Sequence, residues 1–285
     1  MKIGFIGTGV MDTGIIRNLF KDNEISIYTR TKSKAEPLIK EGAHWVESPM
    51  ELVDGVETII SMVGYPQDVE EVYFGDNGIF QANVKNKILV DMTTSTPTLA
   101  KRIGEEAHRN DALALDAPVS GGDIGAKNGT LTVMAGGDQE AFEQLTDVFD
   151  QISQRKHFFG GFGTGQHAKM ANQIMIAGTM TGLTEMLVYA KAANLNLPDV
   201  LATLQSGGAD NWSMDTYVPR ILAGDYTPGF FAKHFLKDLR IALDEAKKMN
   251  LDLPATKLAT QLYEELVETK KLGNDGTQAL VKLWW

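Results

Sequence analysis

Apolar positions in the first half of the chain come in short runs, each closed by a glycine or proline signal and followed by helical spacing. Ile3-Gly4-Phe5-Ile6 reads as a buried strand, Gly7-Thr8-Gly9 as the turn after it, and Val10 to Phe20 as a helix. Ile25 to Tyr28 is a second strand and Lys32 to Lys40 a second helix. Ser48-Pro49-Met50-Glu51 is a capping box with proline at the first helical position. Glu57 to Met62 and Ile88 to Asp91 are further apolar runs, and Thr96-Pro97 opens another helix. Leu113 to Leu115, Thr130 to Met134 and Lys156 to Phe159 complete the strand-like segments. Strands alternating with helices predict a mainly parallel sheet covered on both faces.

After Gly165 the pattern is helical throughout: Gln166 to Ala193, Pro198 to Gln205, Lys233 to Met249, Ala255 to Thr269 and Thr277 to Leu283, punctuated by Asn194, Pro198, Gly207-Gly208, Pro228-Gly229 and Pro254. The expected architecture is α/β, a Rossmann-type N-terminal domain over residues 1–162 followed by an all-α C-terminal domain over 163–285, the latter expected to serve substrate binding and dimerisation. Met170, Met175, Met180 and Met186 recur on the long central helix and are expected to be core. Ile174 to Tyr189 is too short and too polar to span a bilayer, and its Gly178-x-x-x-Gly182 is read as close helix packing.

Composition narrows the function classes. The 285 residues allow two domains, and 43% hydrophobic with 22% charged residues is ordinary for a globular protein. A net charge of −10 argues against nucleic acid or an anionic membrane as partner. Cysteine is absent, which excludes disulfides and thiol catalysis. The five histidines show no ligand spacing, so no catalytic metal is expected, and His167 is read as a loop residue. The N-terminus lacks a signal-peptide core, and a cytoplasmic location is expected.

The candidate chemistry lies in two places. Gly7-x-Gly9 between a strand and a helix, in a β-α-β unit, suits a dinucleotide pyrophosphate: the turn exposes backbone N–H groups at a helix start. Asp12 occupies the position of the third fingerprint glycine, and Gly14 comes two residues late. A carboxylate there is stabilised by the helix dipole but opposes a bound pyrophosphate, so Asp12→Gly is expected to tighten cofactor binding. The second strand ends Tyr28-Thr29-Arg30-Thr31, followed by Lys32, Ser33 and Lys34, with no acid for a ribose 2′-hydroxyl. Arg30 and its neighbours fit a 2′-phosphate, so NADP(H) is expected over NAD(H).

The second place is Gly163-Thr164-Gly165-Gln166-His167-Ala168-Lys169-Met170-Ala171-Asn172, a glycine turn opening the long helix. Lys169 and Asn172 are three apart and share a helical face. The positive end of the helix dipole disfavours another cation there, which suits a proton donor to a carbonyl; a plain surface lysine is the alternative.

Several motifs in order then carry a resemblance. Phe5-Ile6-Gly7-Thr8-Gly9-Val10-Met11, Arg30-Thr31-x-Ser33-Lys34, Asp91-Met92-Thr93-Thr94, Asp116-Ala117-Pro118-Val119-Ser120-Gly121-Gly122, Gly129-Thr130-Leu131, Gly163-x-Gly165-x-x-x-Lys169-x-x-Asn172 and Lys237-Asp238-Leu239 span nearly the whole chain. Together they resemble the β-hydroxyacid dehydrogenases, the family of 3-hydroxyisobutyrate dehydrogenases, tartronate semialdehyde reductases and glyoxylate/succinic semialdehyde reductases. The resemblance implies an NADP-dependent oxidoreductase interconverting a small hydroxy acid and its semialdehyde. It implies Lys169 as general acid and base, Asn172 as the substrate-orienting amide, and Ser120, Gly121 and Gly122 as the segment holding the substrate carboxylate.

For the cofactor it implies Gly7, Thr8, Gly9, Val10, Met11, Arg30, Thr31 and Lys34, to which the strand-end reading adds Thr29, with Met62, Val63 and Thr94 near the nicotinamide. Lys237, Asp238 and Phe230 would close over cofactor and substrate from the helical domain. Taken without the resemblance, Val119-Ser120-Gly121 also fits a turn, Lys237-Asp238 a solvated pair and Phe230 core packing. A homodimer or homotetramer is expected. A non-catalytic dinucleotide-binding sensor or scaffold is the alternative function, and imine reduction the alternative chemistry.

Overall fold

The computed structural model describes all 285 residues, Met1–Trp285, as two compact units, Met1–Lys169 and Met170–Trp285. The N-terminal unit holds strands β1 (Lys2–Ile6), β2 (Glu24–Tyr28), β3 (His44–Trp45), β4 (Thr58–Ser61), β5 (Ile88–Asp91), β6 (Leu113–Asp116), β7 (Val119–Ser120), β8 (Leu131–Gly137) and β9 (Ser153–Phe158). Between them run helices α1 (Val10–Leu19), α2 (Glu36–Lys40), α3 (Pro49–Val53), α4 (Pro66–Phe74), α5 (Pro97–Arg109), α6 (Gly122–Asn128), α7 (Gln139–Gln144) and α8 (Thr146–Ile152).

The strands form one sheet in the order β3-β2-β1-β4-β5-β6-β8-β7, with β9 also paired to β8. From β3 to β6 every pairing is parallel, the 3-2-1-4-5-6 order of a dinucleotide-binding fold. Beyond β6 the sheet is mixed: β8 runs antiparallel to β6 and β7, and β9 parallel to β8. Alternation along each central strand divides the core in two. Ile3, Phe5, Ile60, Val90 and Leu115 face Ile15, Leu19, Ala126 and Phe149, whereas Ile6, Ile59, Leu89 and Ala114 face Leu52, Val72, Leu99 and Ile103. The sheet is thus packed on both sides, the Rossmann architecture expected.

Helix α9 (Thr164–Ala192) begins in the N-terminal unit and continues into the other. The C-terminal unit adds α10 (Leu197–Leu204), α11 (Trp212–Leu222), α12 (Ala232–Lys248), α13 (Pro254–Glu264) and a 3₁₀ segment, Thr277–Leu283; it contains no strand, only an isolated bridge between Phe231 and Gly276. Its core gathers Ala177, Phe235, Leu239, Tyr263 and Leu280 in one cluster and Met180, Leu187, Met214 and Val218 in another.

Several local expectations are revised. The helix expected over Lys32 to Lys40 is two pieces, a 3₁₀ turn at Lys32–Lys34 and α2 beginning at Glu36; Pro37, at the second position of α2, cannot donate into a preceding turn. The Ser48 hydroxyl accepts from Glu51 N–H at 3.1 Å, but the Glu51 carboxylate accepts from Glu47 N–H at 2.8 Å instead of closing the box on Ser48. Met170 and Met180 are buried as expected, whereas Met175 is 68% exposed. Helix α11 was not anticipated, because Pro219 lies within it and masks its period.

Candidate functional site

In the N-terminal unit the fingerprint turn lies where the strand order reverses, between β1 and β4. Gly7 has φ +122° and donates its N–H to Tyr28 O at the end of β2, 2.9 Å away. A Cβ on Gly7 would strike the Met62 carbonyl oxygen beyond β4, so only glycine lets these strand ends converge. Val63 N–H donates to the Thr93 hydroxyl at 3.0 Å, tying the loop after β4 to the one after β5 beside Thr94. Gly7, Thr8, Gly9, Val10, Met11, Met62, Val63 and Thr94 thus share one edge of the sheet. The Thr8 hydroxyl is buried without a hydrogen-bond partner, and Gly9 and Val10 are exposed at the start of α1. An unfilled hydroxyl beside exposed helix-start N–H groups fits a phosphate-bearing dinucleotide.

Asp12 departs from that pattern in an informative way. Its carboxylate Oδ2 accepts from Gly9 N–H at 2.7 Å, and the side chain is 7% exposed. Burial pushes its pKa up to about 7, opposed by the Gly9 and Asp12 backbone N–H groups. The tight-packing role of the displaced glycine falls to Gly14: a Cβ there would lie 2.9 Å from Ala126 C and Lys127 N of α6. Arg30 is exposed at the end of β2 and pairs with Asp68 at 2.9 Å; Thr31 and Lys34 are exposed beside it, and Thr29 is half-buried.

Lys169 is positioned by a buried network that sequence spacing did not reveal. The Asp116 carboxylate, at the end of β6, accepts from Gly163 N–H and from Gln166 N–H, each at 2.8 Å, and so caps the start of α9. Burial pushes its pKa up to about 6 against those two bonds. The fully buried Gln166 side chain donates to Thr93 O at 2.7 Å and accepts from Ser95 N–H at 2.9 Å. Gly165 has no room for a Cβ, which would lie 2.5 Å from Met134 O.

Lys169 is 6% exposed, and its Nζ donates to Val119 O at 2.8 Å. The next residue, Ser120, is half-buried in β7 and leads into Gly121 at φ +126° and Gly122 at φ +65°, so Lys169 is no surface lysine. His167, expected in a loop, lies in the first turn of α9. Neither Asp116 nor Gln166 carried a signal of its own, because their partners lie 47 to 73 residues away.

In the C-terminal unit Asn172 Nδ2 donates to Gln173 Oε1 at 2.7 Å, and the fully buried Gln173 donates to Asp238 Oδ2 at 2.7 Å. Asp238 in turn pairs with Lys237 at 3.0 Å, with the two side chains 1% and 12% exposed. That burial excludes the solvated-pair alternative. Gln173, unmarked in the sequence, is the link that joins Asn172 to Asp238. Phe230 stands apart from this network, half-buried against Phe235 with ring centroids 5.8 Å apart. No cluster of three His, Asp or Glu side chains offers a metal site, and no helix is long and apolar enough to cross a membrane.

Comparison with known proteins bears on family and fold. Residues 2–161 match the family described as the NAD-binding domain of 6-phosphogluconate dehydrogenase. Residues 163–284 match the family described as NAD-binding of NADP-dependent 3-hydroxyisobutyrate dehydrogenase. The chain is 47% identical over 283 residues to an uncharacterised oxidoreductase of Bacillus subtilis (strain 168), covering 99% of this chain and 98% of that one. It is 36% identical over 263 residues to the 2-hydroxy-3-oxopropionate reductase of Escherichia coli (strain K12), covering 92% and 90%. A crystal structure of 3-hydroxyisobutyrate dehydrogenase from Salmonella typhimurium shares the fold, with a TM-score of 0.90 at 24% identity over 99% of both chains.

Proposed function

From the chain's membership of the β-hydroxyacid dehydrogenases, NAD(P)-dependent oxidoreductases of hydroxy acids, we propose that it interconverts a small 3-hydroxy acid, or a related hydroxy acid, and its semialdehyde with NADP(H). The 36% identical relative named 2-hydroxy-3-oxopropionate reductase makes that semialdehyde the first candidate substrate. The observation that carries the reading is the Lys169 amine, held 2.8 Å from Val119 O at the threshold of Ser120-Gly121-Gly122. A buried amine beside a segment suited to a carboxylate can meet the carbonyl of a short semialdehyde.

The dinucleotide, when bound, supplies the hydride chemistry. Gly7, Thr8, Gly9, Val10 and Met11 hold its pyrophosphate; Thr29, Arg30, Thr31 and Lys34 its 2′-phosphate; Met62, Val63, Thr94 and Lys237 its nicotinamide half. Lys169 gives a proton to the carbonyl oxygen in the reducing direction and recovers it in the oxidising one. Ser120, Gly121 and Gly122 bind the substrate carboxylate, Asn172 orients the reacting carbon, and Phe230 and Asp238 are further substrate-binding side chains. Asp116 and Gln166 act through Lys169, by fixing the first turn of its helix. A cytoplasmic homodimer or homotetramer belongs to the same reading.

NADPH and NADH oxidation with 2-hydroxy-3-oxopropionate, succinic semialdehyde, glyoxylate and methylmalonate semialdehyde tests it. One of these is expected to turn over, with NADPH preferred; a protein that binds NADPH and reduces none is instead the sensor. Lys169→Met, which keeps the packing volume, should lower kcat by roughly 10²–10⁴ with little change in NADPH affinity. Near-normal turnover would remove Lys169 from the chemistry.

A further inference from the structure

In a dinucleotide-binding turn the backbone N–H groups at the helix start, and the hollow left by the glycines, receive the pyrophosphate. Here an anion of the protein's own is already in that hollow. Asp12 Oδ2 takes the Gly9 N–H at 2.7 Å. A Cβ built on Gly7 would lie 2.7 Å from the same oxygen and one on Gly9 3.1 Å from it, so the carboxylate fills the space the two glycines leave.

No cation is bonded to it. The helices packed on α1 are α6, with Asp123 and Lys127, and α8, with Asp147 and Asp150; none of these hydrogen-bonds Asp12. On α1 itself Arg17 is committed to Glu41, 2.6 Å away, and the loop after β4 turns the Met62 carbonyl oxygen toward Gly7. The side chain is 7% exposed, so water does little to screen a second anion brought beside it.

We propose that Asp12 is an internal competitor in the phosphate-binding turn, which a dinucleotide engages only when that side chain is protonated. Cofactor binding is therefore coupled to proton uptake at Asp12, and affinity falls as the pH rises. With burial holding the group at about 7, the coupling acts across the neutral range. The inference rests on the dinucleotide reading above and adds to it a residue that sets affinity by its charge. It refines the simpler expectation of fixed repulsion by making that repulsion depend on pH.

The test is fluorescence titration of NADPH and NADH into the full chain and into Asp12→Asn at pH 6, 7 and 8 at constant ionic strength. NADH lacks the 2′-phosphate, whose own titration near pH 6 would otherwise contribute. The wild type should bind about tenfold more weakly at pH 8 than at pH 6. Asp12→Asn keeps an oxygen for the Gly9 N–H without the charge, and should hold its affinity within about twofold across that range. Calorimetry of wild-type NADH binding at pH 7 in two buffers of different ionisation enthalpy should show net proton uptake, a readout that needs no variant. Parallel pH profiles for the two proteins, or no proton uptake, overturn the inference and leave the dinucleotide reading standing. Failure of both proteins to bind either dinucleotide overturns both.

Discussion

Asp12, Asp91 and Asp116 lie buried in the N-terminal unit, each bonded to backbone N–H groups or a hydroxyl and none to a cation. Burial dominates in all three, pushing Asp12 to about 7 and Asp91 and Asp116 to about 6. An acid whose folded pKa is raised binds its proton more tightly when folded than when unfolded. Its stabilisation is full below the unfolded value near 4 and is lost as pH rises through the folded value. Between about pH 4 and 7 these carboxylates should therefore progressively weaken the fold. Asp91→Asn keeps an acceptor for the Ser61 hydroxyl and Thr93 N–H, at 3.0 and 3.1 Å in the wild type, and removes the buried charge. Its melting temperature should exceed that of the wild type by roughly 2–6 °C at pH 8, with the gap closing toward pH 5. A gap independent of pH would show that packing, not ionisation, separates the two proteins.

Elements were legible where the pattern was local. The alternation of Ile3, Phe5, Ile59, Ile60, Leu89 and Val90 between two cores is a property of strand periodicity, so the strands and the parallel sheet could be read directly. The glycine turn and the Lys169 helix were legible for the same reason. What escaped is non-local: Asp116 capping α9 from the end of β6, Gln166 bridging the loop after β5, Gln173 joining Asn172 to Asp238. Two-residue strands such as β3 and β7 exist only by pairing with a neighbour, so no periodicity announces them. Gly14 belongs to this class, since its use appears only once α6 lies across it. Gly14→Ala, with backbone atoms 2.9 Å from the new Cβ, should cost about 1–3 kcal/mol, read as a lower urea midpoint. An unchanged midpoint would mean that α6 yields at no cost.

At the scale of the whole molecule, the two family matches meet between residues 161 and 163, whereas compactness divides the chain after Lys169. The difference bears on how the protein can be cut. A fragment ending at residue 162 would strip Asp116 of both N–H partners and leave Thr93 O and Ser95 N–H without the Gln166 amide. A carboxylate in the fold interior that loses its hydrogen-bond donors destabilises by about 1–3 kcal/mol or more. One ending at residue 172 retains every one of those bonds. The longer fragment should melt cooperatively at a clearly higher temperature, and equal melting would show that the first turns of α9 add nothing to the sheet. The turns that bring Lys169 to its place are, on this account, also the closing piece of the nucleotide-binding fold, so excising that fold at the homology boundary removes part of its own foundation.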